Sequence, residues 1–225
     1  MSGLALILAM QAAPAPSAPP AVDNTPTAWP DHERELGMVD AYSTDSDIRA
    51  RTTMTAFATC VVDGSTDKAS ALLQSDFRAA GYRSGMQTMI RNNDHCARKV
   101  GLQGRLKMAN LSFAGALAEA LLRQQATPLN VRLARAAAVP SAATYSFTDG
   151  VAMCVARSAP DQVAALFATD VGSKQEAAAI DALAAPAALC AQAAKARKPL
   201  SISPAGLRAM LATASFRSVA SLKEV

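Results

Sequence analysis

At 225 residues, with a formal charge of +4 and 51% apolar residues, the chain can build one or two packed domains, and it lacks the charge excess of a disordered or polyanion-binding protein. Aromatics make up only 4%, and the abundance of Ala and Leu favours closely packed helices over sheet. No Arg/Lys run with interleaved aromatics occurs, so nucleic acid is not an expected partner.

In chain order, residues 4–10 (LALILAM) form an apolar run well short of the about twenty residues that span a bilayer. Followed by small residues, the run fits the apolar region of a signal peptide covering residues 1–13. It lacks a preceding Lys or Arg, which an upstream start or a truncated signal would explain; no Cys follows it, so no lipid anchor is expected. Residues 14–45 read as a Pro-rich and acidic linker, in which Trp29 is expected to dock the arm on the helical body. Residues 1–57 hold seven acids against three Arg, and residues 58–123 hold nine bases against five acids; both are read as solvated surface.

From residue 46 the pattern is helical. A first helix over 46–62 places Met54, Phe57, Ala58 and Val61 on one face, and Asp63-Gly64-Ser65 predicts a turn. A short helix follows over 67–75. A third over 84–100 carries Met86, Met89, Ile90, Asn93, Cys96, Ala97 and Val100 on one stripe. A fourth over 110–125 carries Phe113, Ala116, Leu117, Ala120 and Leu121. Residues 126–145 form a connector that reads equally as a short strand or a short helix.

Laying residues 58–123 over 152–217 without a gap superimposes Cys60 on Cys154 and Cys96 on Cys190, together with Asp67 on Asp161, Leu72 on Leu166, Asp76 on Asp170, Leu117 on Leu211 and Arg123 on Arg217. Such matching indicates an internal duplication. The second copy, over 146–217, starts its short helix at Ala159-Pro160-Asp161 and its last helix at Ser203-Pro204. Pro186 should kink or divide the helix over 174–195. The tail, 218–225, has no strong pattern.

Four cysteines permit three pairings. A repeat copied as a unit carries its own bridge, which selects Cys60–Cys96 and Cys154–Cys190. Closing each loop is worth roughly 4 kcal/mol by the chain-entropy model, and disulfides imply an oxidising compartment. A metal site is the weaker reading, since no C-x-x-C occurs. His95 neighbours Cys96, but adjacent helical residues are expected to point apart.

The remaining candidates are the recurrent charges. Asp67 and Asp161 suit the first turn of a helix. Asp76, Asp170, Arg123 and Arg217 could line a ligand groove where the repeats meet, although capping and local ion pairs are the preferred account of them. No phosphate-loop, nucleophile-elbow or zinc-protease motif is present, and no cofactor is expected.

The pattern Phe57-Ala58-x-Cys60-Val61, Leu72-Leu73-x-x-Asp76, a Cys in the third helix, and Gly115-Ala-Leu-Ala-Glu-Ala-Leu-Leu122 resembles a group of uncharacterised exported bacterial α-helical proteins with a duplicated Cys-containing helical unit. The likeness covers most of 54–123 and extends to 148–217, where the last motif has become Ala209-Met-Leu-Ala-Thr-Ala-Ser-Phe216. It implies fold and compartment and carries no assigned activity. The expectation is therefore an all-α protein of two tandem four-helix repeats, each clasped by one disulfide, packed as a helical bundle. Its expected role is a periplasmic or secreted interaction or binding module, acting on a protein or small-molecule partner. A small periplasmic enzyme, or an envelope structural or stress protein, is the alternative.

Overall fold

The computed structural model describes residues 40–102, 110–195 and 202–224; the segment read as a signal peptide and Trp29 lie outside them. Ser43–Val225 form one compact unit, all-helical, with no strand among the described residues. Its helices are α1 (Asp40–Gln74), α2 (Ala80–Asn92), α3 (Asp94–Lys99), α4 (Asn110–Arg123), α5 (Leu129–Ala137), α6 (Phe147–Ser158), α7 (Pro160–Phe167), α8 (Lys174–Ala182), α9 (Ala184–Ala193) and α10 (Pro204–Ala220), followed by a 3-10 turn at Ser221–Glu224. None among the described residues is long and apolar enough to cross a membrane.

The predicted apolar stripes form the core. Phe57, Ala58, Val61, Met86, Cys96, Phe113 and Leu117 are buried, and the Phe57 and Phe113 rings pack 5.6 Å apart. Both expected disulfides are present, with Cα–Cα distances of 5.7 Å for Cys60–Cys96 and 5.8 Å for Cys154–Cys190. They fit an oxidising compartment.

Several boundaries differ from the sequence expectation, each for a local reason. Helix α1 starts at Asp40 rather than 46, since neither Pro nor Gly occurs between residues 38 and 63 to stop it. The break expected at Asp63-Gly64-Ser65 is present as a kink at Ser65 (φ −149°, ψ 35°) where two helices run together into α1, and the Thr66 hydroxyl donates to the Val62 carbonyl at 2.7 Å across the bend. The helix expected over 84–100 divides at Asn93 (φ −117°, ψ 35°), whose side chain donates to the Met89 carbonyl. The one expected over 174–195 divides at Leu183, which places Pro186 in the first turn of α9, where its missing N–H costs nothing. The connector contains a helix, α5, opening after Pro128. The tail is no appendage: α10 runs on to Ala220, burying Ser218 and Val219.

Helix α10 sits at the centre, lying along α4 on one side and α6 on the other, and also touching α5, α7 and α8. The α4–α10 crossing is close because Gly115 faces Ala209: a Cβ on Gly115 would fall 2.6 Å from the Ala209 Cα. These two positions coincide when 58–123 is laid over 152–217.

Candidate functional site

Two clusters of polar residues flank the α4–α10 crossing. Each is anchored by a carboxylate delivered by a helix cap. At the start of α8, Ser173 caps the helix by accepting from the Glu176 N–H at 3.0 Å, so Glu176 stands at the third helical position and points inward. At the start of α6, Ser146 accepts from the Asp149 N–H at 3.2 Å, which places Asp149 likewise. Each is a variant of the capping box in which the carboxylate reaches back one residue beyond the cap: Glu176 accepts from the Gly172 N–H at 2.7 Å and Asp149 from the Tyr145 N–H at 2.8 Å.

In the first cluster Arg208, 3% exposed, donates in a fork to Glu119, with both bonds at 2.8 Å, and to Glu176 at 2.9 Å. It also reaches the Thr169 hydroxyl and carbonyl, at 3.2 Å each. Arg51 bonds Glu176 and Arg123 bonds Glu119. Burial pushes the Glu176 carboxyl up, but Arg51, the Gly172 N–H and Arg208 outweigh it and hold the group below its ordinary range. Burial works against the charged Arg208 guanidinium, and the two Glu residues hold it charged. The ions close this side of the crossing, leaving a recess of about 50 Å³.

The other side is open. A cavity of about 250 Å³ is lined by Leu73, Phe77, Tyr82, Leu111, Ala114, Met210 and Thr213, with Asp149 and Arg217 on its wall. The Arg217 guanidinium bonds Asp149 and donates to the Ala143 carbonyl at 2.9 Å. It lies 5.3 Å from the centre of the Tyr145 ring, which Arg78 approaches at 5.5 Å and Phe77 meets edge-on at 5.6 Å.

The two sides correspond under the alignment of 58–123 on 152–217. Where the closed side has Arg208, Glu119 and Val171, the open side has Ala114, Thr213 and Phe77. Tyr82 holds the position of Glu176. Arg208, Glu119 and Glu176 of the closed junction correspond to the uncharged Ala114, Thr213 and Tyr82 of the open one, while Arg123 corresponds to Arg217, which pairs with Asp149 on the cavity wall; the cavity is the space the three replacements leave.

The four residues expected to share one groove divide between these clusters. Arg217 belongs to the open junction. Asp76 lies near it, accepting from the Arg78 guanidinium at 2.8 and 3.0 Å; that bond, chiefly, lowers its pKa. Arg123 belongs to the closed junction, and Asp170 follows Thr169 there, exposed. Neither Arg pairs with a recurrent Asp; their acids are Glu119 and Asp149. Asp161 accepts from Asn130 at 2.8 Å, a structural role at the start of α7. His95 departs from expectation: its Nε2 lies 3.3 Å from the Cys96 sulfur, and with Cys60 it forms a trio of potential ligands, but both sulfurs are spent in the disulfide.

Glu119, Asp149, Glu176 and Arg208 were not singled out by sequence. Ser146-x-x-Asp149 and Ser173-x-x-Glu176 are legible as capping boxes, which would have placed both carboxylates at buried helix starts. Arg208 gives no such signal, because its partner Glu119 is far away in the chain.

Fold and site together define a class: a disulfide-clasped helical protein with one ion-closed and one open junction. The chain matches no protein-family model, no curated protein and no solved structure.

Proposed function

We propose that this chain is an exported, periplasmic binding module without catalysis, built from a duplicated helical unit, and that its ligand occupies the open junction. One observation carries the reading: corresponding sides of one helix crossing differ, one closed by five charged residues and the other holding a cavity of about 250 Å³ whose exposed wall is mostly apolar. A cavity of that kind, with few converging polar groups, is the usual form of a small-molecule site. Binding is favoured over catalysis because the acid and base on the wall, Asp149 and Arg217, are bonded to each other and to backbone, which leaves neither poised to move a proton. The duplication gains support from the meeting of Gly115 with Ala209 and from two bridges of equal span, 36 residues each. Export is supported by those bridges and by the apolar run and Pro-rich stretch that precede the helices. The likeness to exported bacterial helical proteins points the same way.

Ligand-observed NMR with a library of one-ring fragments tests the site, comparing the wild type with the double variant Ala114→Leu/Thr213→Leu, which fills the cavity with apolar bulk. Fragments should bind the wild type and lose binding in the variant. No binding by any fragment, or equal binding to both proteins, would refute the assignment.

A further inference from the structure

The open junction also specifies what it accepts. Resting on the binding reading above, we infer that its ligand is a compact, uncharged molecule with an apolar body and an acceptor oxygen, and that the Tyr82 hydroxyl is the donor that receives that oxygen.

Size comes first. The cavity of about 250 Å³ exceeds the ~150 Å³ apolar void that admits a benzene molecule and falls short of the ~300 Å³ at which drug-sized pockets begin. One ring with a short substituent fits it. Phe77 and Leu111, on the cavity lining, are 39% and 44% exposed, so the approach from solvent is apolar as well.

Charge comes second. The charged side chains on the wall, Asp149 and Arg217, neutralise one another. An anion would compete with Asp149 and a cation with Arg217, and either would shed its water without gaining a free counter-charge.

The polar contact comes last. Most hydroxyls on the lining are already engaged: Ser75 donates to the Leu72 carbonyl at 2.6 Å, Thr213 to the Met210 carbonyl at 2.9 Å, and Ser146 takes up the Asp149 N–H. Tyr82 differs. It is 8% exposed, lines the cavity, and its hydroxyl has no hydrogen-bond partner among the described residues. The alignment explains why: at the closed junction the corresponding Glu176 is met by Arg208, whereas at the open one Ala114 stands in place of that arginine. The hydroxyl is not sealed in the core but faces the cavity, so a ligand oxygen can take the place of water on it. Burial pushes the phenol up to about 12, so the group keeps its proton across the neutral range.

The test titrates four probes of one size into the full chain by NMR: acetophenone, ethylbenzene, benzoate and benzylammonium. Acetophenone is expected to bind roughly three- to tenfold tighter than ethylbenzene, the worth of one hydrogen bond, and both ions more weakly than either. In Tyr82→Phe, acetophenone should lose that factor while ethylbenzene is unchanged. The carbonyl ¹³C resonance of acetophenone bound to the wild type should lie downfield of that bound to Tyr82→Phe, a signature that a purely structural role for Tyr82 would not produce. Equal binding of acetophenone and ethylbenzene, indifference to Tyr82→Phe, or tighter binding of either ion overturns the ligand class while leaving the cavity as a binding site. Failure of all four probes to bind overturns both.

Discussion

Replacing Arg208 with Met removes the hub of the closed junction. The guanidinium makes five hydrogen bonds, to Glu119, Glu176 and Thr169, and Met fills much of the same volume without charge. Removing one partner of a buried ion pair costs about 3–5 kcal/mol, because the remaining charge stays buried. Here the low end applies: Glu119 keeps Arg123, whose side chain is 45% exposed, and Glu176 keeps Arg51 and the Gly172 N–H. The expected loss is about 3 kcal/mol, which with a slope of about 2 kcal/mol per molar urea moves the midpoint down by about 1.5 M. Urea unfolding at pH 7 with both disulfides intact measures it. The variant Arg208→Met/Glu119→Met should recover at least about 1 kcal/mol, since it strands one carboxylate fewer. The pH dependence gives an internal check. The Glu176 pKa is depressed on folding, so its contribution is fully present above its ordinary value of 4.5 and is lost as pH falls through the depressed one. The penalty of Arg208→Met should accordingly shrink in acid. A loss below about 1 kcal/mol at pH 7, or a double variant less stable than Arg208→Met, would refute the view that these ions hold the junction closed.

Other consequences follow from the same geometry. Gly115→Ala should cost about 2 kcal/mol by forcing α4 and α10 apart, seen as a lower thermal midpoint. Gly172→Ala should be costly twice over, because its φ is +78° and its Cβ would fall 2.5 Å from Ile48; adding Ile48→Ala should relieve only the steric share, measurable as non-additivity in a double-mutant cycle. Loss of the second bridge in Cys154→Ala/Cys190→Ala should lower stability by about 4 kcal/mol, again read by urea unfolding. A drop under 1 kcal/mol there would mean that α9 is held mainly by packing.

The sequence carried the fold further than it carried the site. Helical spacing identified the buried faces of α1 and α4, since Phe57 and Leu117 recur where a core-facing stripe requires them, and Leu211 follows Leu117 through the alignment. Equal Cys spacing selected the disulfide pairing, and Pro160 and Ser203-Pro204 marked helix starts that the structure repeats. The break at Ser65 was marked by Asp63-Gly64-Ser65, whereas the one at Asn93 was less legible because the position carries neither Pro nor Gly and its side chain bonds the Met89 carbonyl instead. Helix α5 was ambiguous because its alternating Leu129, Val131 and Leu133 satisfies a strand period as well. The junctions were hidden for a different reason. Glu119 reads as one charge on an Ala-rich helix until α10 brings Arg208 against it, and Tyr82 gains its meaning only by comparison with Glu176. What separates an ion-closed junction from an open one is tertiary pairing, which no local pattern encodes.

The most direct test of the account is an amide chemical-shift map of the ¹⁵N-labelled protein saturated with acetophenone. Binding at the open junction predicts perturbations concentrated at residues 73–82, 110–114, 146–149 and 210–217, with Arg51, Glu119, Glu176 and Arg208 unmoved. Perturbations centred on the ion-closed side, or spread without focus over the surface, would contradict it.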